Sequence, residues 1–239
     1  MISIIGRGNV ASHLHKALEG ITDVTIVNPH TLEELPEKND IILISVADSA
    51  IVDVVNRLPP TDAVIAHTAG SIPMKAVEGK SPNFGVFYPL QTFSKDIPLD
   101  YSIIPIFIEG STPKSIETLK RLAHLISNNV TIADSETRKR LHLASVFACN
   151  FTNALAGIGA QILAENGLDI STLLPLMRQT VEKLEKLTPQ EAQTGPAARR
   201  DKTVVETHLK MLEFDPQLQN IYSLLSERIM KTCNPEKKK

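Results

Sequence analysis

Tryptophan is absent from this 239-residue chain, and only three tyrosines and seven phenylalanines are present. So few aromatic rings argue against a surface on which nucleic-acid bases stack. Neither charge sign is in excess: 25 Lys and Arg stand against 27 Asp and Glu, a formal net charge of −2. No nucleic-acid partner is therefore expected, and no polybasic membrane anchor. The closing Lys237-Lys238-Lys239 reads as a solvated chain end. Cysteine is scarce as well. Cys149 and Cys233 match no metal or redox spacing, so reduced thiols in a cytoplasmic protein are expected, with no metal site. A long purely apolar run is also missing. The most apolar stretch, 147–163, carries Asn150, Thr152, Asn153 and Gln161, which favours a buried helix over a membrane span.

What is present begins at the first residues. Met1 to Ile5 is an apolar strand, and Gly6-Arg7-Gly8-Asn9-Val10-Ala11 runs from it into a helical segment starting at Ser12. A strand, a GxGxxA turn and a helix, in that order, are the parts of a dinucleotide-binding βα unit. Gly6 permits the tight turn, and Gly8 lets the backbone approach a pyrophosphate. Ala11 lets the helix pack close to the strand. The helix N-terminus offers N–H groups and a positive dipole to phosphate. The plainer alternative is that the glycines only make a tight strand-to-helix turn. With the motif starting at residue 6, no signal peptide is expected before it.

Apolar runs at 23–28, 40–46, 62–67, 84–88, 103–108 and 130–133 read as further strands, with helices at 48–58 and 114–126 between them. Pro105 pushes the strand at 103–108 toward a sheet edge. The alternation predicts an α/β fold with a mostly parallel, doubly wound sheet. From Asp134 onward the pattern is helical. Ser135 is the expected N-cap of a long helix reaching about Glu165, followed by helices at 172–187, 204–212 and 216–231. The segment 188–201 is too polar and too rich in turn formers to be core helix throughout. Two domains are expected: 1–134 to bind a dinucleotide, and 135–239 to bind substrate and dimerise.

The choice of cofactor turns on the end of the second strand. NAD-binding versions of this unit carry an acidic residue there for the ribose hydroxyls. Here the position holds Asn28, followed by Pro29 and His30. No carboxylate repels a 2′-phosphate, and His30 or Arg7 supplies positive charge, so NADP is expected in preference to NAD. Alternatively Asn28-Pro29 simply ends the strand in a turn. Val46-Ala47-Asp48 and His67-Thr68-Ala69-Gly70 also stand at strand ends, where such sheets bind ligands, and are further candidate cofactor contacts. Asp48 lies too far along to replace the missing acid, and capping the next helix is its other role. His67 is a candidate ligand contact, although a histidine at a strand end is more often structural.

In the helical half, at about 100° per residue, Arg138, His142, Cys149 and Asn153 share one stripe of the long helix, flanked by Ser145 and Asn150. Polar groups on an otherwise apolar helix either join a hydrogen-bonded core network or face a cleft. In a cleft, Asn150 and Asn153 would orient a substrate and His142 would give a proton to the atom that becomes negative during hydride transfer. A second candidate is Thr194-Gly-Pro-Ala-Ala-Arg199-Arg200-Asp201. One of its arginines is suited to clamping an anion, and Asp201 to orienting it or capping the next helix.

The order of these segments resembles a group of presumed NADP-dependent oxidoreductases built from a Rossmann-like domain and a helical domain of unknown function. The matching pieces are 6–11, His67 to Gly70, Tyr88 to Phe93, Leu141 to Ser145 with Asn150, and Thr194 to Asp201. Two positions depart from the family's pattern: Tyr88 stands where the family commonly has histidine, and Arg200 where it often has glycine. More distantly, the layout is similar to 6-phosphogluconate dehydrogenase, pyrroline-carboxylate reductase and ketopantoate reductase. That similarity implies substrate-binding and proton-donating roles for His142, Asn150 and Asn153, but the lysine-plus-asparagine pair of the hydroxyacid dehydrogenases is not clearly present. The expected activity is hydride transfer between NADP and a small polar keto or imino compound, in a homodimer. A second reading is a nucleotide-sensing or scaffold dimer that keeps the fold without turnover.

Overall fold

The short aliphatic runs at 2–5, 41–44 and 64–67 become strands buried on both faces. The computed structural model describes residues 1–233, so the lysine run at 237–239 lies outside the described residues. The strands are β1 (Ile2–Ile5), β2 (Val24–Val27), β3 (Ile41–Ile44), β4 (Val64–His67), β5 (Phe84–Pro89), β6 (Ile106–Gly110) and β7 (Val130–Ile132). They form one sheet in the order β2-β1-β3-β4-β5-β6-β7. Every neighbouring pair is parallel except β5 and β6. The crossover helices are α1 (Asn9–Leu18), α2 (Ile51–Arg57) and α3 (Pro113–His124). Successive side chains of a strand point to opposite faces. Ile4 and Leu43 accordingly pack with Leu14 and Leu119, whereas Ile5 and Ile44 pack with Ile51, Val54 and Val55 on the other side. Each such fully buried side chain contributes about 1.5–3 kcal/mol.

Beyond β7 the chain is helical: α4 (Ser135–Ser145), a π-helical turn (Val146–Asn150), α5 (Phe151–Ala164), α6 (Leu174–Lys183), α7 (Pro189–Ala192), α8 (Pro196–Arg199), α9 (Lys202–Met211) and α10 (Pro216–Thr232). The chain divides into two compact units, Met1–Leu155 and Ala156–Lys239. In the second, α8 packs on α10 with Ala197 and Ala198 buried.

Three expectations are corrected. The strand after Pro105 is interior, between β5 and β7. Pro105 precedes its first residue, so the missing N–H costs no ladder bond, while the Pro105 carbonyl accepts from Leu90 N–H. Asp134, not Ser135, caps α4, accepting from Thr137 N–H at 2.8 Å. The Ser135 hydroxyl instead donates to Glu109 and accepts from Met74 N–H. The segment 188–201 is not helical throughout and holds two short helices, α7 and α8. Finally, the apolar stretch at 147–163 is not buried within the chain: Phe147, Phe151 and Leu155 are exposed. The continuous helix Ser135–Ala164 is, by length and composition alone, long and apolar enough to cross a membrane.

Candidate active site

The carboxyl ends of β1, β3, β4 and β5 open onto a cavity of about 830 Å³ in the first unit. The turn from β1 into α1 forms one wall. A Cβ on Gly6, which holds φ +154°, would lie 2.0 Å from the Ser45 carbonyl oxygen, so only glycine lets β1 turn beside β3 here. Gly8 differs. Its φ is −81°, and nothing lies within 4 Å of the place its Cβ would occupy. Gly8 is the N-cap of α1, no side chain caps the helix, and its first turn holds no acid. The helix's first hydrogen bond runs from Ser12 N–H to Gly8, so the preceding amides lack helical partners. Arg7, Gly8, Asn9 and Val10 line the cavity, and Gly6 and Ala11 are buried behind them. Asn9 does more than line the wall: its amide donates to the Phe93 carbonyl, and His13 Nε2 donates to the Ser94 carbonyl. The loop after β5 is thereby tied onto α1. An open, uncapped helix start with a glycine whose missing side chain would fill the space fits a pyrophosphate.

At the end of β2, Asn28 Oδ1 accepts from His30 N–H at 3.1 Å, which fixes the turn and leaves the amide NH₂ as a donor. A second hollow of about 460 Å³ shares Pro29 and Val46 with the main cavity, and His30 and Arg57 line it. Arg57 donates to the Pro29 carbonyl at 2.6 Å and lies 3.3 Å from Asp53. Sequence reading missed Arg57. Its only signal there was the i,i+4 pairing with Asp53, which speaks of a helix and not of a neighbour on β2.

At the cavity's other wall, the Tyr88 hydroxyl is 3.1 Å from His142 Nδ1. Burial pushes the Tyr88 phenol above its ordinary range, against an opposing hydrogen bond from Ser145. The hydroxyl therefore keeps its proton; it donates to Nδ1 in the tautomer that carries the ring proton on Nε2 and accepts from Nδ1 in the other. Gly70 makes this pairing possible: a Cβ there would lie 2.7 Å from His142 Nδ1 and 2.8 Å from the Tyr88 oxygen. Ser145, Cys149 and Asn150 line the cavity beside the pair. The π turn Val146–Asn150 changes the helix's phase, a feature that recurs at functional sites. Asn153 falls outside the lining and is exposed. Arg138 is fully buried and bound to Glu109, the Ile72 carbonyl and Ser135, which fastens α4 to β6 and the turn after β4.

Val46, Ala47, Asp48, Thr68 and Ala69 line the cavity, but His67 does not. His67 is fully buried, and its Nδ1 accepts from Ala69 N–H, holding the turn that carries Gly70. Burial, then the nearby Arg138 charge, lower its pKa from 6.5 to about 4. The unfolded chain therefore binds more protons between those two values, and stability falls as pH drops through that window. The loss reaches about 3 kcal/mol by pH 4. Denaturant melts of wild type and His67→Asn between pH 7 and 4 are expected to show it in the first and not in the second.

Arg199 and Asp201 belong to the second unit. Arg199 ends α8 exposed, and Arg200 adopts φ +57°. Asp201 caps α9, accepting from Val204 N–H at 3.2 Å.

Sheet order, glycine turn and helical continuation define a Rossmann-like α/β fold with a helical C-terminal part. The chain belongs to the family described as Domain of unknown function (DUF2520), whose model matches residues 104–229. It is similar to a presumed NADP oxidoreductase from Bacteroides fragilis, at 39% identity over 96% of this chain and 97% of that one, with a TM-score of 0.89. A Thermotoga maritima protein matches at 23% identity over 100% of both chains, with a TM-score of 0.75. A reductive aminase from Aspergillus terreus, solved with NADPH and ethyl levulinate, shares the fold at 14% identity, covering 96% and 93% of the two chains, with a TM-score of 0.71. No curated protein matches the chain.

Proposed function

We propose that this protein is an NADP-dependent oxidoreductase acting on a small polar carbonyl or imine compound. The observation that carries the reading is one cavity lined both by an uncapped helix N-terminus behind Gly8 and by the half-buried Tyr88–His142 pair. A bound reduced nicotinamide would supply the hydride. The chain's own groups supply the rest. The amides of α1 and Arg7 hold the pyrophosphate. The Asn28 turn, with His30 and Arg57 close by and no carboxylate at position 28, suits a 2′-phosphate. Tyr88 donates a proton to the oxygen or nitrogen that becomes electron-rich, and His142 holds and replaces it. Asn150 and Ser145 orient the substrate. The printed descriptions of the Bacteroides fragilis and Aspergillus terreus proteins agree with this reading.

Thermal melts test it. NADPH is expected to raise the melting temperature more than NADH does, because ligand binding stabilises by mass action in proportion to affinity. Equal shifts would remove the NADP preference, and no shift with either would favour the scaffold reading.

The same reading includes a homodimer. Leu143, Phe147, Phe151 and Leu155 recur every four residues along one ridge of the long helix, and all four are exposed. Phe147 and Phe151 meet edge to face, with centroids 5.0 Å apart. A second copy suits this ridge better than lipid does, because the same helix presents His142, Ser145 and Asn150 to a polar cavity and buries the Arg138 ion pair. Light scattering at micromolar concentration is expected to give twice the chain mass, falling to one chain mass in Phe147→Glu. A wild-type monomer would contradict it.

A further inference from the structure

The charges around the cavity are few, and their placement bears on the substrate. Among the lining residues the permanently charged side chains are Arg7 and Asp48. Arg7 stands between Gly6 and Gly8, at the phosphate end. Asp48 belongs to the other end, by a chain of contacts. Its carboxylate accepts from the Ser71 hydroxyl at 2.5 Å. Ser71 follows Gly70, whose missing side chain accommodates Tyr88 and His142. The Asp48 charge also helps to raise the Tyr88 phenol's pKa. Arg138, the nearest buried cation, is already bound to Glu109. At its reacting end the first unit thus offers one carboxylate and no unpaired permanent cation.

Resting on the oxidoreductase reading above, we propose that the cavity takes a substrate whose reacting nitrogen carries positive charge, an imine protonated to its iminium, with Asp48 as the counter-charge. The step balances. The Tyr88 hydroxyl gives its proton to the imine nitrogen and regains one through His142. A hydride from the reduced dinucleotide then forms the new C–H bond. The C=N π pair settles on nitrogen as a lone pair, leaving a neutral amine and the oxidised dinucleotide. Asp48 stabilises the cation that exists between proton transfer and hydride transfer; in the reverse direction an amine held beside it as the ammonium ion must lose its proton before it can give up a hydride. A 2-keto acid would set its carboxylate against Asp48, with Arg7 of this unit at the phosphate end and no cation beside Asp48 to hold it.

Calorimetry on the full chain separates this proposal from the reading beneath it. NADP⁺ is titrated first, into wild type and Asp48→Asn. Cyclopentylamine, cyclopentanol and cyclopentanecarboxylate are then titrated into each loaded protein at pH 7. The three share one ring and differ in charge. The amine is expected to bind wild type at least about tenfold more tightly than the alcohol, as one close charge pair provides. The carboxylate is expected to bind weakest. Asp48→Asn should erase the amine's advantage and leave NADP⁺ affinity within about twofold, a difference too small to count as a lost contact. A carboxylate preference, no discrimination among the three, or an amine advantage that survives in Asp48→Asn would overturn the proposal. So would a variant that loses NADP⁺ affinity instead, since Asp48 would then serve the cofactor. Failure of wild type to bind NADP⁺ overturns the oxidoreductase reading itself, and the proposal with it.

Discussion

Gly8→Leu is expected to abolish NADPH and NADH binding while leaving the melting temperature of the cofactor-free protein unchanged. Gly8 has an ordinary negative φ, and nothing lies within 4 Å of the place its Cβ would take. The fold therefore tolerates a side chain there. The same side chain occupies the space in front of the α1 amides, where the pyrophosphate must approach. Gly6→Ala is the control with the opposite signature. Its Cβ would lie 2.0 Å from the Ser45 carbonyl oxygen, at φ +154°, so the sheet itself must shift. That variant is expected to lose several kcal/mol of stability, as strain at a special backbone position does. If Gly8→Leu binds NADPH as wild type does, the turn serves packing alone.

Tyr88→Phe carries the second large effect. Loss of a proton donor in the transition state is expected to lower kcat by roughly 10²–10⁴-fold. KM and NADPH affinity should change little, because the ring stays and only the hydroxyl 3.1 Å from His142 is removed. His142→Gln should lower kcat as well, and the double variant should lose little beyond the larger single effect, since the two groups act as one unit. Stopped-flow NADPH oxidation under single-turnover conditions reads this directly. A Tyr88→Phe enzyme with unaltered kcat would assign the proton to another donor.

The sheet and the glycine turn were legible in the sequence because they rest on local pattern. Apolar runs such as Ile41–Ile44 mark strands covered on both faces, and Gly6-Arg-Gly-Asn-Val-Ala11 lies between strand and helix where the motif requires. The strand after Pro105 was misjudged because a proline one residue before a strand costs no ladder bond. The Tyr88–His142 contact was beyond reach. It joins β5 to α4 across 54 residues and depends on the missing side chain of Gly70, which belongs to neither element. The helical stripe was legible only in part. A fixed 100° per residue brings His142 and Cys149 to one face but cannot anticipate the π turn at Val146–Asn150, which admits Asn150 to the lining and leaves Asn153 out. Arg200 shows the converse. The related group often has glycine there, and the left-handed φ of +57° supplies the physical reason.

The most direct test of the central claim is a crystal structure of the protein grown with NADP⁺. The account predicts the pyrophosphate on the N-terminus of α1 against Gly8, the 2′-phosphate near Asn28, His30 and Arg57, and the nicotinamide ring beside Tyr88 and His142. A dinucleotide bound elsewhere, or bound here with its nicotinamide turned away from Tyr88, would contradict it.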